Sequence, residues 1–523
     1  MQKKFNDTGL CVPHRHYMVD ISEKIKQIIR LIEDGEYFAI SRPPQFGKTT
    51  TLSLLTRQLN LRNDYLALSI SFEGIGDAPF SNEQAFCTKF LKIIARSVRF
   101  TAPEIADCFE QASQQVNDFE ELSQFISQYV FQLGKQVGLL IDEVDKSSNN
   151  QIFLHFLGML RSKYLLRDAG QDYTFQTVIL AGVHDIKTLR TKIRPDEERK
   201  YNSPWNIAVD FDVDLSFSPA DIGTMLLDYS QEKDIQPDIP GISEKLYYYT
   251  SGYPYLVSKL CKFMDEHIVS ERRDRNWLLD DVDAAFRMIA DEGYTTTLFD
   301  SLTKNLENNP DLYENVFNMV INGRRIPFNI NVPVISLGYL YGIFTGSREG
   351  CTIHNRIYEQ RIYTYMMTKL LVSRPAPTPA LQPEYYTEDG LNITLILQKF
   401  QTFMKEHYSS GDAKFLERED RLLFLSYLRP IINGRGFDFK EPNVSGERRM
   451  DIVITYQNIR YVIELKIWHG QKYHQKGLKQ LSEYLDMYSL KQGYLLIYNF
   501  NKNKEYRQEQ IVFEDKQIFA VWV

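Results

Sequence analysis

Short apolar runs alternate with segments of helical periodicity over the first two hundred residues of the chain. The apolar runs cover residues 37–41, 65–72, 137–141 and 177–183. Between them, apolar positions recur at helical spacing, for example in 49–59 and 119–133. Runs this short, joined by helices, are typical of buried parallel strands. The pattern therefore predicts an α/β fold in which helices cover both faces of a parallel sheet.

The pattern changes twice further along the chain. Residues 213–370 have mostly helical periodicity, and a short β-hairpin is predicted from 338–345 and 351–353, as in a winged helix. The stretch SRPAPTPALQPE contains four prolines, which neither a helix nor a central strand accommodates, so it predicts an extended linker. We therefore predict four parts: an α/β core (1–212), a helical lid with a winged-helix-like region (213–372), a proline-rich linker (373–390) and a separate domain (391–523).

Composition narrows the class of protein. A chain of 523 residues exceeds what one core holds, and 43% hydrophobic with 25% charged residues is ordinary for a soluble protein. No apolar run reaches the roughly 18 residues of a membrane span, and the N-terminus lacks the apolar stretch of a secretory signal. The five cysteines are scattered and form no CxxC pair. We therefore expect no membrane partner, no zinc knuckle and no disulfides, and a reduced, cytoplasmic protein.

Charge is unevenly distributed. The whole chain carries a net charge of −7, but residues 391–523 hold 20 Lys and Arg against 16 Asp and Glu, a net charge of +4. The acidic body excludes a uniformly basic nucleic-acid coat. The mildly basic C-terminal part is compatible with a local contact to a polyanion.

The first apolar run leads into the loop RPPQFGKT and then into a predicted helix. In this strand–loop–helix context, backbone N–H groups face phosphate oxygens, aided by the helix dipole. Gly47 lets the backbone approach closely, Lys48 reaches the β- and γ-phosphates, and the Thr49 hydroxyl binds Mg²⁺. We expect the neighbouring loop and helix residues to contact ATP as well: Pro44, Gln45, Phe46 and Thr50.

One position departs from the usual pattern. Arg42 stands where such loops begin with Gly, so the tight turn rests on two prolines whose φ is already fixed. The arginine then either lies near the phosphates or pairs with an acid elsewhere. A GKT sequence also occurs at helix starts by chance, and a second motif is needed to decide.

That second motif is VGLLIDE, an apolar strand that ends in two carboxylates. Asp142 suits the Mg²⁺ shell, and Glu143 suits the orientation or deprotonation of an attacking water. His184 follows the next strand, where a γ-phosphate sensor is expected, or is a loop residue without a role. Three arginines come later and are either a solvated face or the source of an arginine finger: Arg190, Arg194 and Arg199.

Four segments in order, RPPQFGKT, LLIDEVDK, YNSPWNIAVDF and TSGYPYLV, resemble the AAA-like ATPases found in many bacterial proteins, relatives of the signal-transducing STAND group. The resemblance covers roughly residues 10–270. It implies ATP and Mg²⁺ as cofactors, the acid-bearing strand beside the loop strand, and a helical lid whose GYP turn packs near the nucleotide. Related ATPases often complete the site with an arginine from a neighbouring copy, so the resemblance also implies a homo-oligomer promoted by ATP.

A different chemistry is indicated by RMDIVITYQNIRYVIELKIW, which predicts a β-hairpin with strands at 450–456 and 461–468. Asp451 begins the first strand, while Glu464 and Lys466 share one face of the second because they are two residues apart. In metal-dependent phosphodiester cleavage, Asp451 and Glu464 would hold Mg²⁺ and Lys466 would orient water or neutralise charge. The alternative is a half-solvated edge strand whose charges face water.

The helix after this hairpin carries Gln480 and Tyr484 four residues apart, on one face. Asp451, ExK and QxxxY together resemble the PD-(D/E)XK nuclease superfamily, and RRMDIVITY, YVIELKIWHG and KGLKQLSEYLD resemble its branch that follows AAA-like ATPases. The resemblance covers about residues 400–523 and implies a separate α/β/α domain of the restriction-endonuclease-like kind. It implies an accessory catalytic role for Gln480 and Tyr484, and a further catalytic acid on the first helix of the domain.

The remaining candidates of the C-terminal part are less specific. Glu417 and Glu419 both suit the acid on the first helix, and Glu441 suits a position behind the metal ligands. His469 and His474 are close in sequence, and we expect them in an exposed loop rather than on a metal.

The sequence as a whole predicts an ATPase that gates or positions a C-terminal Mg²⁺-dependent nuclease on DNA. One alternative is a defence-type signalling switch with the nuclease as effector, although the chain contains no long sensor repeat array. Another alternative is a DNA-binding module with an inactive nuclease fold. The presence of Asp451, Glu464 and Lys466 argues against it.

Overall fold

The computed structural model describes residues 2–523 apart from 147–149, 184–204, 206, 271, 291–293, 322–323, 348–349, 374–382, 388–389, 408–422, 426, 429–430, 433–435, 441–451, 457–458, 469 and 501–504. The chain divides into two compact units. The first contains Met1–Leu302, Ser336–Phe344 and His354–Ile357, and the second contains Thr303–Ile335, Thr345–Ile353 and Tyr358–Val523. In the described part of the chain, no helix is both long and apolar enough to cross a membrane.

A parallel sheet forms the centre of the first unit, with its described strands in the order β1-β4-β3-β2. The strands are β1 (Phe38–Ser41), β2 (Tyr65–Ser71), β3 (Gln136–Asp142) and β4 (Thr177–Gly182). Every residue of β4 and all but the first residue of β3 are buried, as expected for central strands of a parallel sheet covered on both faces. The α/β fold and the four strands predicted from the apolar runs are therefore confirmed.

The strand order corrects one expectation. β4 pairs with β1 on one side and with β3 on the other, so the acid-bearing β3 does not lie beside the loop strand β1. Apolar periodicity identifies the strands, but the neighbours of each strand are set by the crossover connections, which periodicity does not encode. Because all four strands are parallel, their carboxyl ends still lie along one edge of the sheet.

The helices of the first unit follow the predicted alternation and then continue into a helical region. They are α1 (Ser22–Glu33), α2 (Lys48–Asn60), α3 (Glu83–Val98), α4 (Pro103–Ala112), α5 (Phe119–Leu133), α6 (Gln151–Asp168), α7 (Pro219–Lys233), α8 (Ile239–Thr250), α9 (Pro254–Phe263) and α10 (Leu279–Ala290). The predicted helices at 49–59 and 119–133 coincide with α2 and α5. α5 begins where the Asp118 side chain accepts the Glu121 N–H and ends at Gly134, whose φ is 64°.

A helical region with a hairpin precedes the proline-rich stretch. Its elements are α11 (Thr297–Glu307), α12 (Pro310–Val320), α13 (Pro333–Leu340), β5 (Phe344–Ser347), β6 (Gly350–Ile353) and α14 (Arg356–Ser373). β5 pairs with β6, so the predicted hairpin is present. Its first strand starts at Phe344 and not at Gly338, because the run PVISLGYL forms α13. A short apolar run fits a helix as well as a strand, which is why the sequence misplaced this boundary.

The C-terminal region contains a mixed sheet whose described strands run in the order β11-β12-β10-β9-β8-β7. They are β7 (Gly436–Lys440), β8 (Ile452–Tyr456), β9 (Ile459–Ile467), β10 (Gln492–Tyr498), β11 (Gln508–Phe513) and β12 (Lys516–Trp522). The predicted hairpin corresponds to β8 and β9, which pair antiparallel with Ile452 opposite Ile463. β9, β10 and β12 are parallel to one another.

Two helices cover opposite faces of this sheet. Phe400 of α15 (Ile393–His407) contacts the ring of Tyr498, with 6.5 Å between centroids. Leu481 of α16 (Gln471–Met487) belongs to the same core cluster as Leu495. Leu495 and Tyr498 are three residues apart on β10 and therefore face opposite sides. The layering is α/β/α, as the sequence predicts for this region.

Candidate functional site

The loop between β1 and α2 is closed by one of its own side chains. Gly47 has φ 82°, in the left-handed region that favours glycine, and α2 begins at the next residue. Lys48 Nζ donates to the carbonyl oxygens of Arg42 and Pro43, both at 2.9 Å. The ammonium therefore lies inside the curve of the loop, and the Lys48 side chain is buried.

Two opposing effects act on the pKa of Lys48. Burial lowers the pKa of the Lys48 ammonium, and the carboxylates of Asp145, Glu143 and Asp142 act in the opposite direction. A buried cation held by two neutral carbonyl groups gains from a nearby anion, because charge is costly to bury without a partner. The carbonyl oxygens of Arg42 and Pro43 are contacts that a phosphate oxygen can replace.

Thr49 and Asp142 join the loop helix to the acid-bearing strand. Thr49 Oγ1 donates to Asp142 Oδ2 at 2.6 Å, across the width of the intervening β4. Asp142 Oδ1 accepts the backbone N–H of Glu143 at 3.0 Å. A hydroxyl and a carboxylate in contact supply the hard oxygen ligands that Mg²⁺ prefers. The structure thereby brings together the two motifs that the sequence separates by more than ninety residues.

Glu143 has an unusual backbone conformation. Its φ is 56°, a region that residues other than glycine seldom adopt and that costs about 1–3 kcal/mol. Strain of this kind persists only where neighbouring contacts hold it, and it concentrates at functional sites. The residue predicted to act on water therefore lies at a constrained turn.

The Arg42 side chain contacts the segment that follows the sheet. Its guanidinium donates to the Val213 carbonyl at 3.0 Å and lies 5.4 Å from the centre of the Phe211 ring. Its backbone N–H donates to the Gly182 carbonyl at 3.1 Å. Arg42 thus ties the start of the loop to the segment after the sheet, and the two roles expected from the sequence stay predictions.

A residue that the sequence analysis passed over, Asp145, closes the site from the side of β4. It lies in the 3₁₀ turn Val144–Lys146, and its Oδ2 accepts the Val183 N–H at 2.5 Å. The sequence offered one indication of this residue, because Asp145 is the third acid of the segment IDEVDK, three residues after Asp142.

The GYP turn packs directly on the loop, as the resemblance implies. Tyr253 Oη donates to the Pro44 carbonyl, and the Tyr253 ring lies edge-on to Phe46 with 4.8 Å between centroids. Gly252 has φ 71°, and a Cβ there would lie 2.1 Å from the Phe217 carbonyl oxygen. Glycine is therefore required at this turn both by conformation and by space.

His354, just after β6, completes an aromatic cluster on the loop. Its ring lies 6.0 Å from Phe46 and 5.6 Å from Tyr253, measured between centroids. Burial lowers the pKa of His354 to about 4. Sequence reasoning missed this residue, because it is more than three hundred positions from the loop and belongs to no motif.

The other loop residues predicted to contact ATP have protein partners. The Phe46 ring is buried, so a ligand reaches this residue through its backbone. Gln45 Nε2 donates to Thr297 Oγ1 at 3.2 Å, and Thr50 Oγ1 accepts the Cys11 N–H at 3.3 Å. Four predicted residues lie outside the described part of the chain: His184, Arg190, Arg194 and Arg199.

The second candidate site lies on β9. Glu464 and Lys466 are both buried, and Lys466 Nζ forms an ion pair with Glu464 Oε1. Lys466 Nζ also donates to Gln480 Oε1 of α16 at 2.7 Å. β9 lies between β8 and β10, inside the sheet. The alternative of a half-solvated edge strand is therefore wrong, and Gln480 lies beside the ExK residues, while its catalytic role stays a prediction.

α16 shapes the space around this lysine. A Cβ at Gly477 would lie 2.8 Å from Lys466 Cε, so the absence of a side chain lets the lysine pass under the helix. Tyr484 is half-buried and packs against the apolar cluster of α16 and the sheet. His474 corrects an expectation: it is a buried residue of α16 beside Trp468, not a residue of an exposed loop, because the helix begins three residues earlier than His474.

The remaining C-terminal candidates, Asp451, Glu417, Glu419, Glu441 and His469, lie outside the described residues. Within the described ones, no three His, Cys, Asp or Glu side chains converge as a metal site would require. The metal-binding role of Glu464 together with Asp451 thus stays a prediction.

Comparisons with known proteins give weak likenesses. No family model matches the chain, and no curated protein matches it. Among solved structures, the Walker-type ATPase of Pyrococcus abyssi is 11% identical, with 69% of this chain and 98% of that chain covered and a TM-score of 0.45. The RuvB Holliday junction branch migration motor of Thermotoga maritima is 14% identical, over 66% of this chain and 95% of that chain, with a TM-score of 0.33.

The ORC2 protein of Aeropyrum pernix is also similar, at 10% identity over 68% of this chain and 94% of that chain, with a TM-score of 0.38. Likenesses of this strength decide nothing about activity. Function therefore has to be inferred from the chain's own residues.

Proposed function

We propose that the chain binds ATP with Mg²⁺ at the loop between β1 and α2 and hydrolyses it. The observation that supports this most directly is the 2.6 Å contact between Thr49 and Asp142, beside Lys48. A cation, a hydroxyl and a carboxylate are thereby combined at a helix N-terminus on the carboxyl edge of a parallel sheet. Phosphoryl-transfer sites of the P-loop type use this combination.

The residues present fit a magnesium ion. Thr49 Oγ1 and Asp142 would hold it, and the bound ion would offset negative charge on the phosphates. Lys48 would contact the β- and γ-phosphates in place of the loop carbonyls. Glu143 would orient the attacking water and accept its proton.

The proposal is tested by titration calorimetry with ATP and Mg²⁺. Wild-type protein should bind, and Lys48→Ala should lose about 10–150-fold in affinity, because a charge-assisted contact to phosphate is worth about 1.5–3 kcal/mol. Arg57→Ala, a basic residue near the other end of α2, is a matched control and should bind normally. Equal binding by wild type and Lys48→Ala would show that the site is elsewhere.

We further propose that the C-terminal domain is a Mg²⁺-dependent nuclease that acts on DNA. The buried Glu464–Lys466–Gln480 cluster on a central strand favours this, because a charged pair is costly to bury unless function or close pairing maintains it. Asp451 and Glu464 would hold the metal, and Lys466 would stabilise charge on the phosphate. Glu417, Gln480 and Tyr484 would assist them.

Cleavage of DNA by the purified chain, with and without Mg²⁺, tests the second proposal. The Asp451→Ala, Glu464→Ala double variant should lose metal-dependent cleavage and keep most of its DNA affinity, since phosphate contacts come from Lys and Arg. DNA affinity should fall as salt rises. Cleavage that persists in the double variant would identify a contaminating nuclease, and DNA binding without cleavage by the wild type would favour the inactive-fold alternative.

ATP is proposed to gate or position the nuclease, in the cytoplasm, with self-association of the chain as one route. Comparison of cleavage rates with ATP, with ADP and without nucleotide tests the gating. Light scattering in the same three states tests the association. Unchanged cleavage in all three states would leave two independent activities, and an unchanged mass would exclude an ATP-promoted oligomer.

A further inference from the structure

The Asp145 carboxylate packs against Gly182 at the carboxyl end of β4. The proposed ATPase chemistry does not by itself require this contact. A Cβ built on Gly182 would lie 2.8 Å from Asp145 Oδ1 and 2.9 Å from both Asp145 Cγ and Oδ2. Carbon atoms in proteins do not approach oxygen atoms this closely without displacement. Any side chain at position 182 would therefore push the Asp145 carboxylate away.

The backbone gives no other reason for glycine at this position. Gly182 is absent from the described residues with positive φ, so its conformation is open to alanine. Its neighbour Val183 donates its N–H to Asp145 Oδ2 at 2.5 Å. The carboxylate thus fills the space above Gly182 and is held there by the next amide along the chain.

The turn that carries Asp145 also carries Glu143. Only Val144 separates the two residues, and Val144 is fully buried in the core cluster. Glu143 has φ 56°, a strained conformation that needs support from its neighbours. Asp142 supports it on one side by accepting its N–H, and Asp145 anchors the other side of the turn to β4.

We propose that Asp145 is a positioning residue for ATP hydrolysis: its contact with the Val183 amide, made possible by Gly182, holds the turn that orients Glu143. This inference rests on the proposed ATPase function and adds a residue pair to it. Asp145 acts through Glu143 and not on the nucleotide itself. Its loss should therefore change turnover far more than affinity.

Three variants test the contact: Asp145→Ala, Asp145→Asn and Gly182→Ala. Asp145→Ala and Gly182→Ala should each lower the kcat of ATP hydrolysis by about 10–100-fold, because displacement of a catalytic group by about 1 Å has effects of this size. ATP affinity should stay within about threefold of wild type. Asp145→Asn should retain most of the turnover, because its amide oxygen still accepts the Val183 N–H.

The double variant Asp145→Ala, Gly182→Ala shows whether the two substitutions act through the same contact or cause two unrelated defects. Loss of the carboxylate removes the three atoms nearest to a methyl group at 182, so the second substitution should add less than about threefold to the first. If the kcat losses of the two single variants multiply in the double variant, the proposal is overturned. It is also overturned if Asp145→Asn is as inactive as Asp145→Ala, because the charge and not the hydrogen bond would then matter. Gly158→Ala is the matched control, because a Cβ there meets no atom within 4 Å.

Amide hydrogen exchange gives a readout that does not depend on activity. The Val183 amide should exchange at least about tenfold faster in Asp145→Ala and Gly182→Ala than in wild type or Asp145→Asn, since a hydrogen bond to a charged group is worth about 1.5–3 kcal/mol. Absence of turnover in the wild type would reject the proposed ATPase function. Wild-type exchange at Val183 or full turnover in Asp145→Ala would reject this inference.

Discussion

The two candidate sites each contain a buried lysine, and the surroundings of these lysines differ. Lys48 and Lys466 are both 7% exposed. Lys48 is held by two carbonyl oxygens of its own loop, whereas Lys466 is held by a carboxylate of the same strand and an amide of a covering helix. The hydrogen bonds of Lys48 to carbonyl groups can be replaced by phosphate oxygens, while the carboxylates of Asp145, Glu143 and Asp142 act on it from nearby. Lys466 already has its counter-charge.

The two sites therefore hold their buried lysines in different ways. The loop contains a strained residue, Gln45 with φ 57°, and is closed by contacts that a nucleotide can replace, so we expect ligand binding and loop conformation to be linked. The β9 site is part of the apolar core of its sheet, so its charges contribute to folding even without a ligand. Loss of the lysine should therefore affect ligand binding in the first site and stability in the second.

The largest effect is expected from stability measurements on the two lysines. Lys466→Ala should lower the free energy of unfolding by about 3–5 kcal/mol, because it removes the cation from the buried Glu464. Lys48→Ala should change it by about 1 kcal/mol or less, because only two carbonyl hydrogen bonds are lost. Denaturant titration of both variants checks this.

Removal of both partners at the second site supplies the control. In the Glu464→Gln, Lys466→Met double variant no charge stays buried, so most of the lost stability should return. A double variant as unstable as Lys466→Ala would show that packing, and not the charge pair, makes Lys466 important.

The next effect is kinetic and belongs to the loop site. Glu143→Gln should bind ATP as wild type does and hydrolyse it about 10²–10³-fold more slowly, because an amide cannot accept a proton from water. Single-turnover hydrolysis with saturating ATP measures this. This result would extend the comparison of the two sites, because Glu143→Gln should slow ATP hydrolysis without changing the free energy of unfolding, whereas Lys466→Ala should lower that free energy. Parallel loss of affinity would instead give Glu143 a binding role.

Much of both sites was predictable where chemistry and periodicity agree. The pairing of Thr49 with Asp142 follows from the rule that parallel strands end at one edge, whatever their order. The i, i+4 spacing singled out Gln480 together with Tyr484, but the contact of Gln480 with Lys466 was not predicted. The pairing of Thr49 with Asp142 needed only the direction of the strands and the positions of the two motifs.

The missed features depend on distant contacts. β4 lies between β1 and β3 because of crossovers that leave no trace in periodicity. Arg42 binds Val213, and His354 packs on Phe46, across separations that a single sequence does not encode. Burial of His474 was missed because the sequence analysis expected a loop at this position, where the structure has the first turn of α16.

A pH-dependent effect tests the aromatic cluster on the loop. Burial holds the pKa of His354 at about 4, below the 6.5 of a solvated histidine, so the folded state keeps this ring neutral. The unfolded chain takes up the proton first as pH falls. Stability is therefore complete above about pH 6.5 and lost between pH 6.5 and 4, by about 2–3 kcal/mol.

Thermal unfolding between pH 7.5 and 4.5 measures this contribution. His354→Gln should remove it, while His155→Gln, an exposed position on α6, should not. An unchanged pH profile in His354→Gln would mean that other groups govern acid unfolding of the first unit.

The smallest effect is expected at Gly477, and its sign depends on Lys466. In the wild-type background, Gly477→Ala gains up to about 1 kcal/mol of helix propensity but forces a Cβ to within 2.8 Å of Lys466 Cε, which costs about 1–3 kcal/mol. The net change should be a loss of about 1 kcal/mol. In the Lys466→Ala background the obstacle is absent, so the same substitution should stabilise the protein by about 1 kcal/mol. A double-mutant cycle by denaturant unfolding gives the coupling directly. An equal change in both backgrounds would mean that α16 shifts to accommodate the methyl group, and that the path of Lys466 to Gln480 does not depend on Gly477.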